Sequence, residues 1–572
     1  MTVELFTFDK GINTQKSPLL LEDGEMVSCE GFSFERDGVL EARQVKSAVN
    51  TTALGSIHTI RRYMNSVVAG DAYSVRHKWD LDGYCDQYIP PTGENFTLLG
   101  TLQSNNRWSV ADHREFTLLA NGLDRKAIAV STLYDWGAAN PTTAPTGAAG
   151  AAGNPNDTYS LYYTFYIMFP NGRVYETAPS PAGSVVVSSE KITWGNIGVC
   201  PYSTATVWRK LYRYSTTLAE TYYVATLKDN TTTTYTDNSS DATLQAGSAL
   251  STSGYALPPD NIVDVTDYIN RVFCISGSYL YWSETGIPFA YPAANSLLVS
   301  RVGEDLVCVV NWADQLYMAD PKTWHRLQGT DASTWNLKGT FAEEGVINTH
   351  TVKVTKYGII GLWYDGIYLF DGTASTNILK DIIKESFFTD ITETKSQADA
   401  CCAEFDGRRY KFMYPSSGTT IDKCLNIDFI DSPNLKLYHS DFTPSAYQHH
   451  YDTGIEYMGK SDGYQYENGT TETIATTLQT GDRAMKNILQ LKEIVYLYYD
   501  IDTDGQDVIV TIYADGTAQT PTIKLNESSR KRDRKSLPKF QGYRFSVKIT
   551  CADSQSLKIY APWAIKFNPY GE

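Results

Sequence analysis

The sequence has few charged residues and no long apolar run. Only 20% of its 572 residues are charged, whereas 42% are hydrophobic. No apolar stretch approaches the roughly 20 residues needed to span a bilayer, so we expect no membrane-spanning segment. The N-terminus lacks the basic end and apolar core of a secretory signal. Low charge with 13% aromatic residues argues against disorder and predicts a folded chain of about two to four domains.

Motifs for zinc, redox and common enzyme chemistry are missing from the sequence. The nine cysteines follow no repeated spacing, and there is neither a CxxC pair nor a zinc-type His/Cys cluster. Scattered cysteines in odd number predict reduced thiols in a protein made in a cytoplasm. No GxSxG elbow, Walker loop or GxGxxG turn is found. We therefore expect no enzymatic activity and no cofactor. A glycosidase pair among the plentiful carboxylates is the alternative.

The charge balance is acidic, with 49 Lys and Arg against 65 Asp and Glu, a net charge of −16. An acidic surface repels nucleic acid at long range, which argues against tight DNA wrapping. A conduit along which DNA slides would suit this sign of charge. Ordinary solubility would suit it equally well.

Short β-strands dominate the pattern. Segments such as 116–120 (FTLLA), 161–169 (LYYTFYIMF) and 508–513 (VIVTIY) are rich in β-branched and aromatic residues, with turn residues between them. One amphipathic window, 377–388, predicts a helix of about three turns. The predicted fold class is all-β.

Residues 1–137 and 257–475 show a loose recurrence of apolar strand, turn and aromatic strand. Examples are 272–282 (VFCISGSYLYW) and 358–372 (GIIGLWYDGIYLFDG). A repeated four-stranded unit of roughly 40–50 residues is typical of a β-propeller blade, and about six to eight would fit this length. We expect the first strands to close the propeller against the last ones.

Three further segments complete the predicted organisation. Residues 138–156 are small and Pro-containing and are predicted to be a linker. Residues 157–246 have the size and strand rhythm of a fibronectin type III or immunoglobulin-like sandwich inserted in the propeller, with Trp194, Tyr212 and Tyr223 as core aromatics. Residues 483–572 are predicted to be a separate C-terminal β-domain.

A series of short motifs resembles a phage family. The first group lies near the N-terminus: Gly11-Ile12-Asn13, Gln15, Pro18, Leu21, Asp23-Gly24-Glu25, Phe34, Asp37-Gly38-Val39-Leu40 and Arg43. The second group lies in the expected blades: Asn270-Arg271-Val272-Phe273, Leu280 to Glu284, Gly286 to Pro292, Asp365-Gly366-Ile367-Tyr368, Phe370 and Gly372. In this order they resemble the tail-nozzle (tail tubular protein B-like) and packaged-DNA stabilisation proteins of short-tailed bacteriophages.

The resemblance implies a structural subunit of a virion tail, assembled in the host cytoplasm. Such a subunit would form a ring, by the resemblance a hexamer, below the portal-adaptor. It would also contact tail fibre or spike proteins. Genomic double-stranded DNA would be retained by this ring and would pass through it at ejection without sequence-specific binding.

Two candidate sites lie in the C-terminal region. Asp500, Asp502 and Asp504 match the first half of a calcium loop, in which alternate carboxylates converge on the cation, but the twelfth position is Thr511 instead of Glu. A polar hairpin turn explains this segment more simply.

The second candidate is the dense basic run of Arg530, Lys531, Arg532, Arg534 and Lys535. It could contact DNA phosphates or an acidic neighbouring subunit, or be a solvated loop.

Two other functions remain open at this point. A propeller with a sandwich and a terminal β-domain would also suit a carbohydrate-active enzyme, since tyrosine and tryptophan side chains stack on sugars. A receptor-binding tail protein would keep the virion setting and change the task. Fold alone does not choose among them.

Overall fold

The computed structural model describes residues 2–36, 38–63, 66–71, 74–79, 96–202, 205–300, 303–329, 331–451, 454–469, 472–553 and 556–570. In these ranges, no helix has the length and apolar character required to cross a membrane. The eight cysteines within them are free and buried. Cys85, and Asp37 of the N-terminal motif, lie outside the described residues.

Nearly all regular elements are short strands. The strands before residue 140 are β1 Thr2–Phe6, β2 Gly11–Ile12, β3 Glu25–Glu30, β4 Phe32–Arg36, β5 Val39–Ala42, β6 Lys46–Ala48, β7 Ile57–Tyr63, β8 Ser66–Asp71, β9 Ser74–Trp79, β10 Thr97–Thr101, β11 Ser109–His113, β12 Phe116–Ala120, β13 Arg125–Ala129 and β14 Thr132–Asp135. Those of the following segment are β15 Thr146–Ala152, β16 Thr158–Met168, β17 Val174–Glu176, β18 Gly183–Val186, β19 Glu190–Gly195, β20 Thr206–Tyr214, β21 Tyr222–Leu227 and β22 Tyr235–Asp237, before helix α1 Asp241–Gln245.

The second half of the chain continues in the same way. Its elements up to residue 400 are β23 Asp264–Tyr268, β24 Arg271–Ser276, β25 Tyr279–Trp282, β26 Ser296–Leu298, β27 Cys308–Trp312, β28 Gln315–Ala319, β29 Trp324–Gln328, β30 Asn336–Gly339, a 3₁₀ turn Thr349–Thr351, β31 Lys353–Thr355, β32 Gly358–Trp363, β33 Gly366–Phe370, β34 Ser375–Asn377, α2 Glu385–Ile391 and α3 Lys395–Ala400. The remaining strands are β35 Cys402–Phe405, β36 Arg409–Tyr414, β37 Lys423–Asp428, β38 Lys436–Ser440, β39 Ala446–His450, β40 Ile455–Gly459, β41 Gln465–Asn468, β42 Thr476–Thr480, β43 Lys492–Asp502, β44 Val508–Ala514, β45 Thr517–Ala518, β46 Ile523–Leu525, β47 Lys531–Gly542, β48 Phe545–Cys551, β49 Lys558–Tyr560 and β50 Trp563–Pro569.

The chain divides into two compact units, residues 1–98, 321–324 and 340–572 in unit 1 and residues 99–320 and 325–339 in unit 2. Both contain four-stranded antiparallel sheets in which sequential strands pair, the arrangement of a propeller blade. Unit 1 has the four-stranded sheets β31–β34 and β39–β41 with β6, and most of the sheet β7–β10. Strands β35–β38 also pair in sequence, but β38 pairs with β3 as well, so they form one end of an eleven-stranded sheet that continues through β42, β48 and β44. In this unit β31 packs on β35, β35 on β39, and β39 on β7, so the sheets stack through their first strands.

Closure by an N-terminal strand is confirmed. β6 pairs antiparallel with β41, with Ala48 opposite Tyr466 and Lys46 opposite Asn468, and so completes the sheet that β39–β41 begin. This strand comes from the start of the chain and is the fourth strand of the last blade.

Unit 2 contains the sheets β11–β14, β23–β26 and β27–β30, with β11 packed on β23 and β23 on β27. The strand Phe116–Ala120 is buried along its whole length because it lies between covered faces. Between β14 and β23 is a sandwich of a three-stranded sheet, β15-β19-β22, and a five-stranded sheet around β16 and β20. The all-β fold class, a β-propeller with an inserted fibronectin type III-like sandwich and a C-terminal β-domain, is thereby confirmed.

The core aromatics predicted for the sandwich are placed as expected in two cases. Trp194 is fully buried and Tyr212 nearly so, whereas Tyr223 is half-buried and packs edge-on against Tyr212 at 6.0 Å between ring centroids. The linker predicted at 138–156 is wrong in part. Its small residues 146–152 form β15, which pairs with β19, and Gly147 lies so close to Trp194 and Val185 that a Cβ would clash.

The predicted boundaries of the C-terminal domain are also wrong. β1 pairs with β50, β5 with β49, and β3 with β42, so strands from residues 2–42 complete the sheets of residues 476–569. The N-terminal residues are therefore shared between this domain and the propeller. No local pattern reveals this, because the pairing strands lie more than 400 residues apart.

The helix predicted at 377–388 is displaced. Residue 377 ends β34, and α2 begins only at Glu385, where Phe388 and Ile391 are its buried residues. The apolar positions before it, Leu379 and Ile383, are buried by successive turns instead.

Candidate functional site

The basic run forms part of an edge strand of the C-terminal β-domain. β47 pairs with β43 and with no other strand among those described, from Lys531 opposite Ile501 to Gly542 opposite Lys492. The other side of β43 pairs with β49 and β50. Residues 531–536 are all exposed. The solvated-loop alternative is therefore wrong in its geometry, because five of the six charged residues belong to a strand.

Asp500 fixes two of the basic side chains. Its carboxylate accepts hydrogen bonds from Nε and Nη2 of Arg530 at 2.9 and 2.8 Å, and from Nε of Arg532 at 3.1 Å. The Asp500 side chain is 3% exposed, while Arg530 is 53% and Arg532 76% exposed. Hydrogen bonding to Arg530, and the charges of both guanidinium groups, hold the pKa of Asp500 below its usual value. Arg530 also stacks on the ring of Tyr560 at 3.8 Å.

The rest of the run differs in how it is neutralised. Lys531 pairs with Glu527 and Asp533 at 3.2 and 3.5 Å. Arg534 lies over the ring of Tyr496 at 4.9 Å, and a hydrogen bond with Tyr498 raises its pKa. In the part of the chain that the structure describes, neither Arg534 nor Lys535 has a carboxylate within 4.0 Å. These two cations are the uncompensated ones.

A shallow open groove of about 380 Å³ borders this strand. Its walls include Tyr498, Arg532, Arg534 and the ring of Pro562. Guanidinium groups beside an aromatic face form a surface that suits a carboxylate or another planar anion.

An apolar patch lies at the other end of the same two strands, where Lys492 is opposite Gly542 and Pro569. We call it the apolar end; its exposed residues are Ile488, Leu489, Tyr543 and Tyr570, of which Leu489 is 85% exposed.

The apolar end is held in place by hydrogen bonds. The buried ammonium group of Lys492 donates to the carbonyl oxygens of Asn487, Gln490 and Tyr543, the last two at 2.8 and 3.0 Å. The Tyr570 amide donates to the Leu491 carbonyl at 2.8 Å. Burial lowers the pKa of Lys492.

The structure does not bring the three calcium-candidate aspartates together. Asp500 faces the arginines, whereas Asp502 accepts a hydrogen bond at 3.1 Å from the Asp504 amide within the turn to β44. That turn uses left-handed backbone at Asp504 and Gly505. Over the described ranges, no group of three His, Cys, Asp or Glu side chains is arranged to hold a metal ion.

Unit 1 contains a buried ionic cluster that no sequence motif predicts. Glu456 accepts from Nζ of Lys46 and from Nζ of Lys411, each at 2.6 Å, and also hydrogen-bonds the Tyr447 hydroxyl. The three charged side chains are only 9–13% exposed and border a cavity of about 130 Å³. Burial would raise the pKa of Glu456, but the two lysines outweigh it and hold that pKa well below normal. Opposite charges compensate one another here, which favours a structural role.

Comparison with known proteins gives no assignment. No protein-family model and no curated protein matches the chain. Among solved structures, the chain is similar to apo AztD from Citrobacter koseri, with 8% identity, a TM-score of 0.32, and coverage of 72% of this chain and 95% of that one. It is also similar to YCF48 from Cyanidioschyzon merolae, with 9% identity, a TM-score of 0.26, and coverage of 74% and 98%.

Proposed function

We propose that this chain is a structural subunit of a bacteriophage virion, a tail-nozzle or hub protein that assembles as a ring below the portal-adaptor. In this role it would retain packaged DNA and conduct it at ejection. Its work would be mechanical and not enzymatic. The observation that carries the proposal is the ordered series of motifs from Gly11 to Gly372, together with the structural positions that its N-terminal members occupy.

The N-terminal motif residues form two sets of contacts. Asn13 is buried, donates to Glu25 at 2.8 Å, and accepts at 3.0 Å from the amide of Gln15. Arg43 bridges Glu472 at 2.9 Å and Asp441 at 3.0 Å. Arg43 thereby joins the segment after β5 to the segments that follow β38 and β41, whereas the contacts of Asn13 hold residues 13–25 together. Motif residues with such structural contacts support the resemblance better than exposed matches would.

The motif glycines have specific steric reasons. Gly11 has a φ of +83°, and a Cβ there would lie 2.5 Å from the Leu437 amide nitrogen. Gly24 has a φ of +90°, and its Cβ would lie 2.4 Å from Oδ1 of Asp9. Both positions therefore favour glycine for conformation, and Gly11 requires it for space as well, because its neighbours are backbone atoms whereas those of Gly24 are side-chain atoms that can move.

The charge supports a passive route for DNA. With −16 overall, a ring of such subunits would attract DNA phosphates little, so DNA could slide through without sequence-specific binding. Ring closure would need two different surfaces on each subunit, because a heterologous contact is what generates cyclic symmetry. By the resemblance the ring would be a hexamer that also meets portal-adaptor and tail fibre or spike proteins.

Imaging of the purified chain tests the proposal. Negative-stain micrographs, with and without the portal and adaptor proteins of the same phage, should show annular particles with an axial hole. Light scattering on the same sample should give a mass that is a multiple of 63.7 kDa. Monomers under all these conditions would contradict it. Release of reducing ends from host polysaccharide, abolished by one carboxylate substitution, would favour the carbohydrate-active alternative.

A further inference from the structure

The outer edge of β47 is open for pairing. Within the described strands, β47 bonds to β43 on one side only, and residues 531–536 are exposed. A strand with one free edge presents a row of backbone N–H and C=O groups that an extended segment can join. Soluble proteins usually protect such an edge, and lysines and arginines are one way of doing so. Here the same charges also determine which partner could bind.

Like charges disfavour pairing of the edge strand with its own copy. Residues 530–535 contain five basic side chains and one acidic one, a net charge of +4, and two copies of β47 side by side would place like charges opposite each other. The whole chain carries −16, so the remaining residues carry −20. A second copy of the chain therefore offers a surface of opposite sign, provided that a region other than β47 is used.

We propose that the free edge of β47, through Arg534 and Lys535, binds an acidic extended segment on a second copy of this chain. These two cations lack a carboxylate of their own in the described residues, whereas Arg530, Arg532 and Lys531 are held by Asp500, Glu527 and Asp533. The paired basic residues fix the conformation of the surface, whereas Arg534 and Lys535 attract the acidic segment. Different surfaces meet in this contact, so it is heterologous and suits a ring.

A protein partner fits this surface better than DNA does. The apolar end flanks the end of β43 and β47 opposite to the basic residues, with Leu489 85% exposed and Tyr543 and Tyr570 nearly half exposed. An edge strand that leads from arginines to exposed aromatic and aliphatic residues is typical of protein interfaces, whereas DNA interfaces are much more positive and more polar. Asp533 in the middle of the basic run would also repel phosphate.

The proposed contact through β47 rests on the proposed function only in that the contact would close a ring. The experiment below distinguishes failure of the contact from failure of the proposed function. Arg534→Glu changes the net charge by two at the edge strand; Lys395→Glu makes the same change at a site in α3 that is 85% exposed. Self-association of the full chain would be measured by sedimentation velocity at low and high salt. We expect the wild type and Lys395→Glu to associate in a salt-sensitive manner, Arg534→Lys to retain association, and Arg534→Glu to raise the dissociation constant at least tenfold.

Leu489→Asp is a second variant for the case in which Arg534→Glu fails to fold, since this exposed side chain contributes little to the core; it should weaken association as well. Association unchanged by Arg534→Glu, or a wild type that stays monomeric, would overturn the inference. So would binding of a 30-base-pair duplex that Arg534→Glu abolishes while association persists. Rings that form equally well with Arg534→Glu would support the proposed function and contradict the inference. Filaments or dimers that depend on Arg534 would support the inference and contradict the proposed ring.

Discussion

The guanidinium group of Arg530 forms a two-point contact with the carboxylate of Asp500, with Nε and Nη2 at 2.9 and 2.8 Å from its oxygens. This contact joins the two segments that the sequence singles out separately, the acidic turn and the basic run. It converts a candidate metal ligand into an anchor for the start of β47. A nearly buried carboxylate between two exposed arginines is a strong constraint on where that strand begins.

Replacing Asp500 by Asn should therefore destabilise the C-terminal β-domain. The buried amide cannot satisfy both guanidinium groups, and we expect a loss of about 1 kcal/mol after allowance for the solvent around the arginines. Urea unfolding followed by tryptophan fluorescence would measure it. Asp504→Asn is the matched control, because that residue lies in the exposed turn after Asp502. Equal effects of the two substitutions would contradict the anchoring role.

Calcium should leave the protein unchanged. Asp500 is engaged by Arg530 and Arg532, so binding of the cation would require breaking these contacts. We expect the unfolding temperature in about 5 mM Ca²⁺ to match that in EDTA to within about 1 °C, given that weak extracellular sites bind near 10⁻³ M. Differential scanning calorimetry would measure it. A rise of several degrees that Asp502→Ala removes would show that the turn is a metal site after all.

Gly11→Ala should destabilise the protein through a steric clash as well as through the left-handed backbone conformation. The new Cβ would meet the backbone of Leu437 at 2.5 Å, and backbone atoms cannot move aside as the end of a side chain can. We expect a loss of about 2 kcal/mol or more, from the clash added to the left-handed backbone. Gly505→Ala has a similar φ of +78° with nothing within 4 Å, so it measures the conformational part alone. In chemical denaturation, the free energy of unfolding of Gly11→Ala should be well below that of Gly505→Ala.

Local patterns predicted the blades because each one is made of sequential hairpins. The strand–turn–strand rhythm of Gly358–Trp363 and Gly366–Phe370 is contained within 13 residues, so its turn residues and apolar runs are sufficient. The same local logic failed where partners are remote. β1 pairs with β50 across the whole length of the chain, and no local pattern within residues 483–572 indicates that their sheet includes N-terminal strands.

The candidate site was predictable in composition but not in geometry. The basic run was visible as charge, yet its placement on an edge strand depends on β43, which lies about 30 residues earlier. Asp500 matched a calcium pattern because spacing in sequence does not reveal which way a strand residue faces. The cluster of Lys46, Lys411 and Glu456 has no sequence signal at all, since Lys46 reaches Glu456 only through closure of the blade by β6.

That cluster predicts a severe effect of Glu456→Gln. The substitution leaves the ammonium group of Lys46 buried without its carboxylate, whereas Lys411 keeps Asp406 at 3.2 Å; breaking a buried pair from one side costs about 3–5 kcal/mol. Urea unfolding would measure the loss. Asp399→Asn breaks the exposed pair with Lys395 and should cost less than about 0.5 kcal/mol. A small effect of Glu456→Gln would mean that water reaches the cluster.

Because of His439, the free energy of unfolding should decrease as the pH is lowered, at pH values well above those at which the carboxylates are protonated. Burial, with a smaller contribution from the charge of Lys423, lowers the pKa of His439 to about 4. The unfolded chain binds this proton near pH 6.5 and the folded chain does not, so protonation favours unfolding as the pH falls from about 6.5 towards 4. The contribution present above pH 6.5 should decline by about 2 kcal/mol between pH 7 and 5. His439→Gln cannot take up the proton, and its free energy of unfolding should be flatter over this window. Parallel pH profiles for the two proteins would place the titrating group elsewhere in the fold.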